Sequence, residues 1–295
     1  MTKFLVTGKL SHWILRFCIL LLFISAAVWS FSSHPRAHAA QLTLQIPQET
    51  YTNHQAGFSW SGVGANSYNL VAAVRPNMSN AFAVSQHISG TSSTLTLSLD
   101  SSTGYRYFQL QAYDASGNRL ATSNTVGLAK YPSGLNIRMV TDASLTASYA
   151  QYNDTCYNTP VWFIPNDSND GAYNVATNFQ LSEFTHSLTV THVVVDPIMV
   201  QHMQNIRSDW GSALSINSGY RDPAHNASID GSATCSSHTF GQAVDIAVSS
   251  YSMWTSLKSF ATQEGASYIE PWQPDVPHLH ADWRSFYQNP PYTNW

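Results

Sequence analysis

One stretch limits what this chain can fold into more than any other. From Ala243 to Val248 the residues alternate, with Val244, Ile246 and Val248 set against Ala243, Asp245 and Ala247. A period of two predicts a strand with one buried face and an aspartate on the other. His238 stands seven residues before Asp245, with Gly241 and Ala243 between them, so it falls in the loop feeding that strand. Both side chains then point into one cleft. A third donor comes from His278-Leu279-His280 near the C-terminus. Two imidazoles and one carboxylate leave a tetrahedral zinc ion one open position for water, which distinguishes catalytic from structural sites.

Everything before residue 41 reads as a targeting segment. Lys3, Lys9 and Arg16 precede an apolar run from Phe17 to Phe31, and Ala37-His38-Ala39 places small residues two apart before Ala40. Residues 1–40 are therefore expected to be a secretory signal peptide, with an uncleaved anchor as the alternative because the apolar run is long. Cys18 lacks the small residues expected before a lipidated cysteine. No later segment is apolar enough to span a bilayer, so no membrane association is expected after cleavage. Cleavage removes Lys3, Lys9, Arg16 and Arg36 from the 13 Lys and Arg residues, and none of the 17 Asp and Glu. What remains is acidic and poor in charge, which excludes nucleic acid as a partner, since phosphate binding needs clustered Lys and Arg. Cys156 and Cys235 are left, an even count that predicts one disulfide in an oxidising compartment. Cys235 as a zinc ligand is the alternative.

Residues 41–130 show no helical stretch. Leu42-Leu44-Ile46, Phe58-Trp60, Tyr68-Leu70, Leu95-Leu97-Leu99, Tyr105-Tyr107 into Leu110, and Val126-Leu128 alternate between polar turns such as Gly117-Asn118. Strands at this spacing predict an all-β sandwich. The run from Tyr105 through Tyr113, the turn, and Ser123 to Val126 resembles the last hairpin of a fibronectin type III or immunoglobulin-like domain. Tyr51, Trp60, Tyr68, Phe82, Tyr105 and Tyr107 could stack on sugars, but most aromatics in a sandwich belong to the core, Trp60 above all. The module is expected to bind the cell wall or act as a spacer.

Residues 131–177 begin with a Pro/Gly/Ser-rich linker at Lys130-Tyr131-Pro132-Ser133-Gly134 and continue as irregular surface. Asp167 and Asp170 lie there, more in keeping with a solvated loop than a calcium site. From Asn178 the character changes. Asp196-Pro197 opens an amphipathic helix carrying Met199, Met203 and Ile206 and closing at Trp210-Gly211, and Leu214 to Ser218 reads as a strand. Tyr251 to Phe260 is a further helix, with Trp254 and Leu257 turned to the sheet.

The ordered set Phe179-Gln180-Leu181-Ser182-Glu183-Phe184, Ser218-Gly219-Tyr220-Arg221, Asn226, Gly231, Ser-x-His ending at His238 and Gly241-x-Ala-x-Asp-Ile resembles the zinc D-Ala-D-Ala metallopeptidases. That family includes the zinc D-alanyl-D-alanine carboxypeptidases, L-alanyl-D-glutamate endolysins and vancomycin-resistance dipeptidases. The resemblance spans about residues 178–287. It implies an α+β metallopeptidase domain over 178–295, with an antiparallel sheet and flanking helices, preceded by the sandwich.

The resemblance assigns His238 and Asp245 to zinc and Arg221 to the substrate carboxylate or carbonyl, a task suited to a bidentate guanidinium. His280, second in a His-x-His pair and followed by Ala281-Asp282-Trp283-Arg284, is taken as the third ligand. His278, preceded by Asp275-Val276-Pro277, is the competing choice. The general base stays open among His278, Asp275 and Glu270; Glu270-Pro271-Trp272-Gln273 departs from the family's Glu-x-Trp-His form at Gln273. His54, His87, His186, His192, His202 and His225 have no ligand-like partners. The expected protein is a secreted, cell-wall-associated monomer that cleaves peptidoglycan stem peptides or other peptides. The alternatives are a non-catalytic metal-containing wall-binding protein of the same fold, and an adhesin acting through its sandwich.

Overall fold

The computed structural model describes residues 41–153, 156, 160–166, 172–185 and 190–284. Residues 1–40, expected to be a signal peptide, and Asp167, Asp170 and His186 lie outside them.

The first part is built from β1 (Thr43–Gln45), β2 (Thr50–Tyr51), β3 (Gln55–Ser61), β4 (Ser67–Ala73), β5 (Phe82–Ser89), β6 (Thr94–Ser98), β7 (Gly104–Tyr113), β8 (Arg119–Thr122), β9 (Val126–Lys130) and β10 (Asn136–Met139). They form a three-stranded sheet, β1-β3-β6, and a larger sheet, β2-β10-β9-β7-β4-β5, with β8 paired to β7. All pairings are antiparallel. Strand β3 alternates as its sequence demands, burying Ala56, Phe58 and Trp60. These meet Leu44, Leu70, Phe108 and Leu110 in one core between the sheets.

The larger sheet is buried on its other face as well. There Tyr105, Tyr107, Ala129 and Ile137 join a second core that continues to Phe184, Val200 and Val244. Tyr105 packs on Trp162 with ring centroids 4.2 Å apart, and the Tyr131 hydroxyl donates to the Val195 carbonyl at 2.7 Å. Double-sided burial explains why β9 reads as a nearly continuous buried run rather than an alternating one. Tyr105 and Tyr107 are thereby removed from any sugar-stacking role, as are Trp60 and Tyr68, all buried.

The segment expected to be irregular contains α1 (Ala143–Asn153). Its Tyr149 is buried, donates to the Thr239 carbonyl at 2.6 Å and pairs with the Tyr220 hydroxyl at 2.8 Å. Beyond it come β11 (Ile164–Pro165), β12 (Asn174–Ala176), β13 (Phe179–Gln180), α2 (Leu181–Thr185), β14 (His192–Val193) and α3 (Pro197–Trp210). Helix α3 starts where Asp196 accepts from the Ile198 amide at 2.8 Å, with Pro197 in its first turn, and ends at Gly211 in the left-handed region. The remaining elements are β15 (Ile216–Ser218), α4 (Pro223–Ala227), β16 (Ala243–Ala247), α5 (Tyr251–Gln263), β17 (Tyr268–Ile269) and β18 (His278–Asp282). Strands β15-β16-β18-β17 make an antiparallel sheet in that order. Among the described residues no helix is long and apolar enough to cross a membrane.

Candidate metal centre

The register of this four-stranded sheet brings the polar residues together. Ser218 pairs with Asp245, and Asp245 with His280, forming one row across three strands. The Glu270 amide donates to the His280 carbonyl at 3.2 Å and extends the row to the sheet edge. Residues two apart on a strand share a face, so His278 and Asp282 lie on the same side as His280. Val244, Ile246, Leu279 and Ala281 fill the opposite face and are fully buried. The alternation that defines the strand thus also sorts the core from the site.

His238 comes from a short 3-10 turn, Ser237–Phe240, capped by Ser236 and closed by Gly241. Gly241 has φ 64°, and a Cβ there would overlap the Val194 carbonyl. Gly219 is needed for a different reason: a Cβ would run into the Phe184 backbone. That close approach sets the Gly219 carbonyl 2.6 Å from His238 Nδ1. The contact fixes the tautomer, because Nδ1 must carry the proton it donates and Nε2 is left with its lone pair.

This lone pair faces two further atoms able to ligate a metal. His238 Nε2 lies 3.1 Å from His280 Nδ1 and 3.2 Å from Asp245 Oδ1, and the last two are 2.8 Å apart. His238 and Asp245 are buried. A single proton on His280 satisfies only part of this triangle and leaves His238 Nε2 facing the carboxylate oxygen. One cation held by all three satisfies every contact. Two donors 2.0–2.1 Å from a tetrahedral zinc stand about 3.3 Å apart, close to the separations here. The residues fit the ion.

Electrostatics agree with that fit. Burial lowers the pKa of His238, keeping its imidazole neutral. Burial also pulls His280 down, but Asp245 and Asp282 outweigh it and raise the imidazole to about 9. For Asp245 burial acts upward, and the hydrogen bond donated by the protonated His280 overcomes it and holds the carboxyl well below the usual range. A metal ion entering the site takes the place of the His280 proton.

Around the triangle, Arg221 donates from Nε to Ser218 Oγ at 2.8 Å and from Nη2 to Asp245 Oδ2 at 2.5 Å. His280 Nε2 is 3.6 Å from the buried Asp282 carboxylate, which Arg284 pairs with and which receives the Ser237 hydroxyl at 3.3 Å. His278 stands one step outside, with Nε2 3.8 Å from Asp245 Oδ1 and 3.8 Å from Glu270 Oε2. Gln273 Nε2 holds the other Glu270 oxygen at 2.9 Å. Asp275 is exposed and forms no hydrogen bond or ion pair with this group among the described residues. Cys156 and Cys235 are joined in a disulfide, S–S 2.08 Å, so Cys235 is not a zinc ligand. Sequence reasoning gave no role to Ser218, Ser237, Tyr149 or Tyr268. The first and last share strand rows with Asp245 and Asp282, a signal legible only once the register is known.

The comparisons point to the same part of the chain. Residues 177–274 match the model of the family Peptidase M15. The match supports a zinc-dependent metallopeptidase in that segment and takes in Arg221, His238 and Asp245, with His280 just beyond it. No curated protein matches the chain. Among solved structures, the pectate lyase PelI from Erwinia chrysanthemi in complex with tetragalacturonic acid is similar at 14% identity and TM-score 0.26, over 30% of this chain and 28% of that one. A Fn3-like protein from Clostridium thermocellum is similar at 20% identity and TM-score 0.22, over 29% of this chain and 81% of that one. A β-1,2-glucanase from Parabacteroides distasonis is similar at 18% identity and TM-score 0.25, over 40% of this chain and 16% of that one. At these scores the structural likenesses carry no argument.

Proposed function

We propose that this protein is a secreted zinc metallopeptidase, D-Ala-D-Ala carboxypeptidase-like, that hydrolyses peptide bonds of peptidoglycan stem peptides as a D,D-carboxypeptidase or an endopeptidase. In this reading residues 1–40 are removed on export and the monomer works at the cell wall. A fibronectin-like β-sandwich module (41–130) and a connecting segment (131–177) precede an α+β peptidase domain (178–295). One observation carries the proposal. His238 Nε2, Asp245 Oδ1 and His280 Nδ1 converge to within 3.2 Å of one another, and two of the three lie inside the segment matching Peptidase M15.

Zinc bound by these three donors supplies a Lewis acid that polarises the scissile carbonyl and acidifies water. The chain's own residues handle the protons and the charge. His278 holds Nε2 at the rim of the donor set, 3.8 Å from Asp245 Oδ1, where it takes a proton from attacking water and returns it to the leaving amine. Glu270 stands 3.8 Å behind it and orients the ring. His278 backed by Glu270 is preferred as the base over Asp275, which forms no hydrogen bond or ion pair with either among the described residues. Arg221, tied to Ser218 and Asp245, makes no hydrogen bond through Nη1 among the described residues. In this reading that nitrogen meets the substrate carboxylate or the developing oxyanion.

The test is hydrolysis of purified peptidoglycan by wild type and His238→Ala, with and without a chelator. Release of new amino groups by the untreated wild type alone supports the proposal. Metal binding with no cleavage selects the alternative, a non-catalytic wall-binding protein. That reading draws on Gln273, which stands where the family's Glu-x-Trp-His form has histidine.

A further inference from the structure

Two tyrosines are the most exposed aromatic side chains described, and one of them borders the metal centre. Tyr251, the first residue of α5, is 60% exposed, and Tyr268 on β17 is 46% exposed. The Tyr268 ring centroid is 5.9 Å from that of His280. Tyr251 is braced rather than free. Its ring lies nearly parallel to Trp254 at 6.0 Å and edge-on to Trp272 at 5.6 Å, and the two tryptophans are 6.1 Å apart. Trp254 is anchored in the core, with the Lys258 ammonium 5.1 Å above its ring. Trp272 follows Glu270 by two residues, and Glu270 Oε2 is 3.8 Å from His278 Nε2. The platform therefore lies two residues along the chain from the site.

Its surroundings narrow the choice of occupant. Ser249, Ser252 and Thr255 are exposed beside Tyr251, neutral hydroxyl groups rather than an apolar continuation. A protein partner favours a contiguous apolar patch. A pyranose ring instead offers one C–H face for stacking and a periphery of hydroxyl and acetamido groups for hydrogen bonds. A rigid aromatic ring edged by hydroxyls meets both needs at low entropic cost. In the sandwich, by contrast, Trp60, Tyr68, Tyr105 and Tyr107 are buried, and Phe82, 38% exposed, has the Arg106 guanidinium 5.9 Å over its ring.

We propose that Tyr251 and Trp272 form a binding platform for the N-acetylated sugar chain that carries the stem peptides, so that the peptidase part grips the glycan itself. This rests on the peptidoglycan reading above and adds to it a preference for glycan-attached over free peptides.

The experiment measures binding of metal-stripped protein to sedimented peptidoglycan and to an N-acetylglucosamine tetramer, for wild type, Tyr251→Ala, Trp272→Ala and Phe82→Ala. The expected result is about ten-fold weaker binding for Tyr251→Ala and Trp272→Ala, a loss of ~1.4 kcal/mol. Phe82→Ala and the thermal midpoint of Tyr251→Ala should be unchanged. Equal affinity of wild type and Tyr251→Ala, loss confined to Phe82→Ala, or no sugar binding by wild type would overturn the proposal. So would a wild-type dimer that Tyr251→Ala breaks apart without any sugar binding. Binding lost in Tyr251→Ala while wild type fails to hydrolyse peptidoglycan would sink the peptidase reading and leave the glycan site standing. Hydrolysis by wild type with unaltered binding in Tyr251→Ala would do the reverse.

Discussion

Arg221 donates through Nη2 to Asp245 Oδ2 at 2.5 Å, while the other oxygen of the same carboxylate faces His238 and His280. The aspartate is divided between a fixed cation and the donor triangle, and its orientation follows from both. Arg221→Lys keeps a charge but cannot span Ser218 and Asp245 together. It should weaken zinc affinity about 10- to 100-fold, measured by competition with a chromogenic chelator. Unchanged affinity would mean that Asp245 is held without the arginine.

His280 makes the metal-free and metal-bound proteins respond to pH in opposite ways. Its folded pKa is raised to about 9, chiefly by Asp245 and Asp282 acting against burial. In the metal-free protein this contributes stability that is fully present below the unfolded value near 6.5 and is lost as pH rises through 9, up to about 3 kcal/mol. Zinc must displace that proton, so its apparent affinity should climb about ten-fold per pH unit up to pH ~9 and then level off. Comparing wild type with His280→Gln in denaturation and zinc titrations across pH 6 to 10 isolates the effect.

Gly219→Ala tests the backbone that aims His238. The added methyl would collide with the Phe184 carbonyl, and relieving the collision moves the Gly219 carbonyl that fixes the His238 tautomer. A loss of about 2–4 kcal/mol in denaturant unfolding is expected, with zinc affinity falling alongside it.

The disulfide between Cys156 and Cys235 spans 79 residues and holds the loop just before His238. Replacing both cysteines with serine should lower stability by about 2–4 kcal/mol through the freed unfolded chain. Thermal denaturation with and without reductant checks this. A reductant effect of the same size on the double variant would contradict it.

How far the sequence could be read depended on how local each signal was. Alternation at Ala243 to Val248 announced β16 because one face is wholly buried, and Asp196-Pro197 with Gly211 announced both ends of α3 because caps are local chemistry. Helix α1 gave no such sign. Its Ser- and Thr-rich run has little apolar contrast, and it is held by Tyr149 reaching Tyr220 and Thr239, 71 and 90 residues away. The same distance problem hid Ser218 and Tyr268, whose places depend on strand register. His278 and His280 could be told apart only by position: His280 Nδ1 is inside the triangle, and His278 Nε2 is 3.8 Å beyond its nearest member.

The central claim is tested most directly by titrating zinc into metal-stripped protein while following the release of amino groups from purified peptidoglycan. Cleavage should rise with zinc, saturate at one ion per chain and be absent in His238→Ala. Cleavage by the stripped protein without zinc, or saturating zinc binding with no cleavage at all, would contradict it.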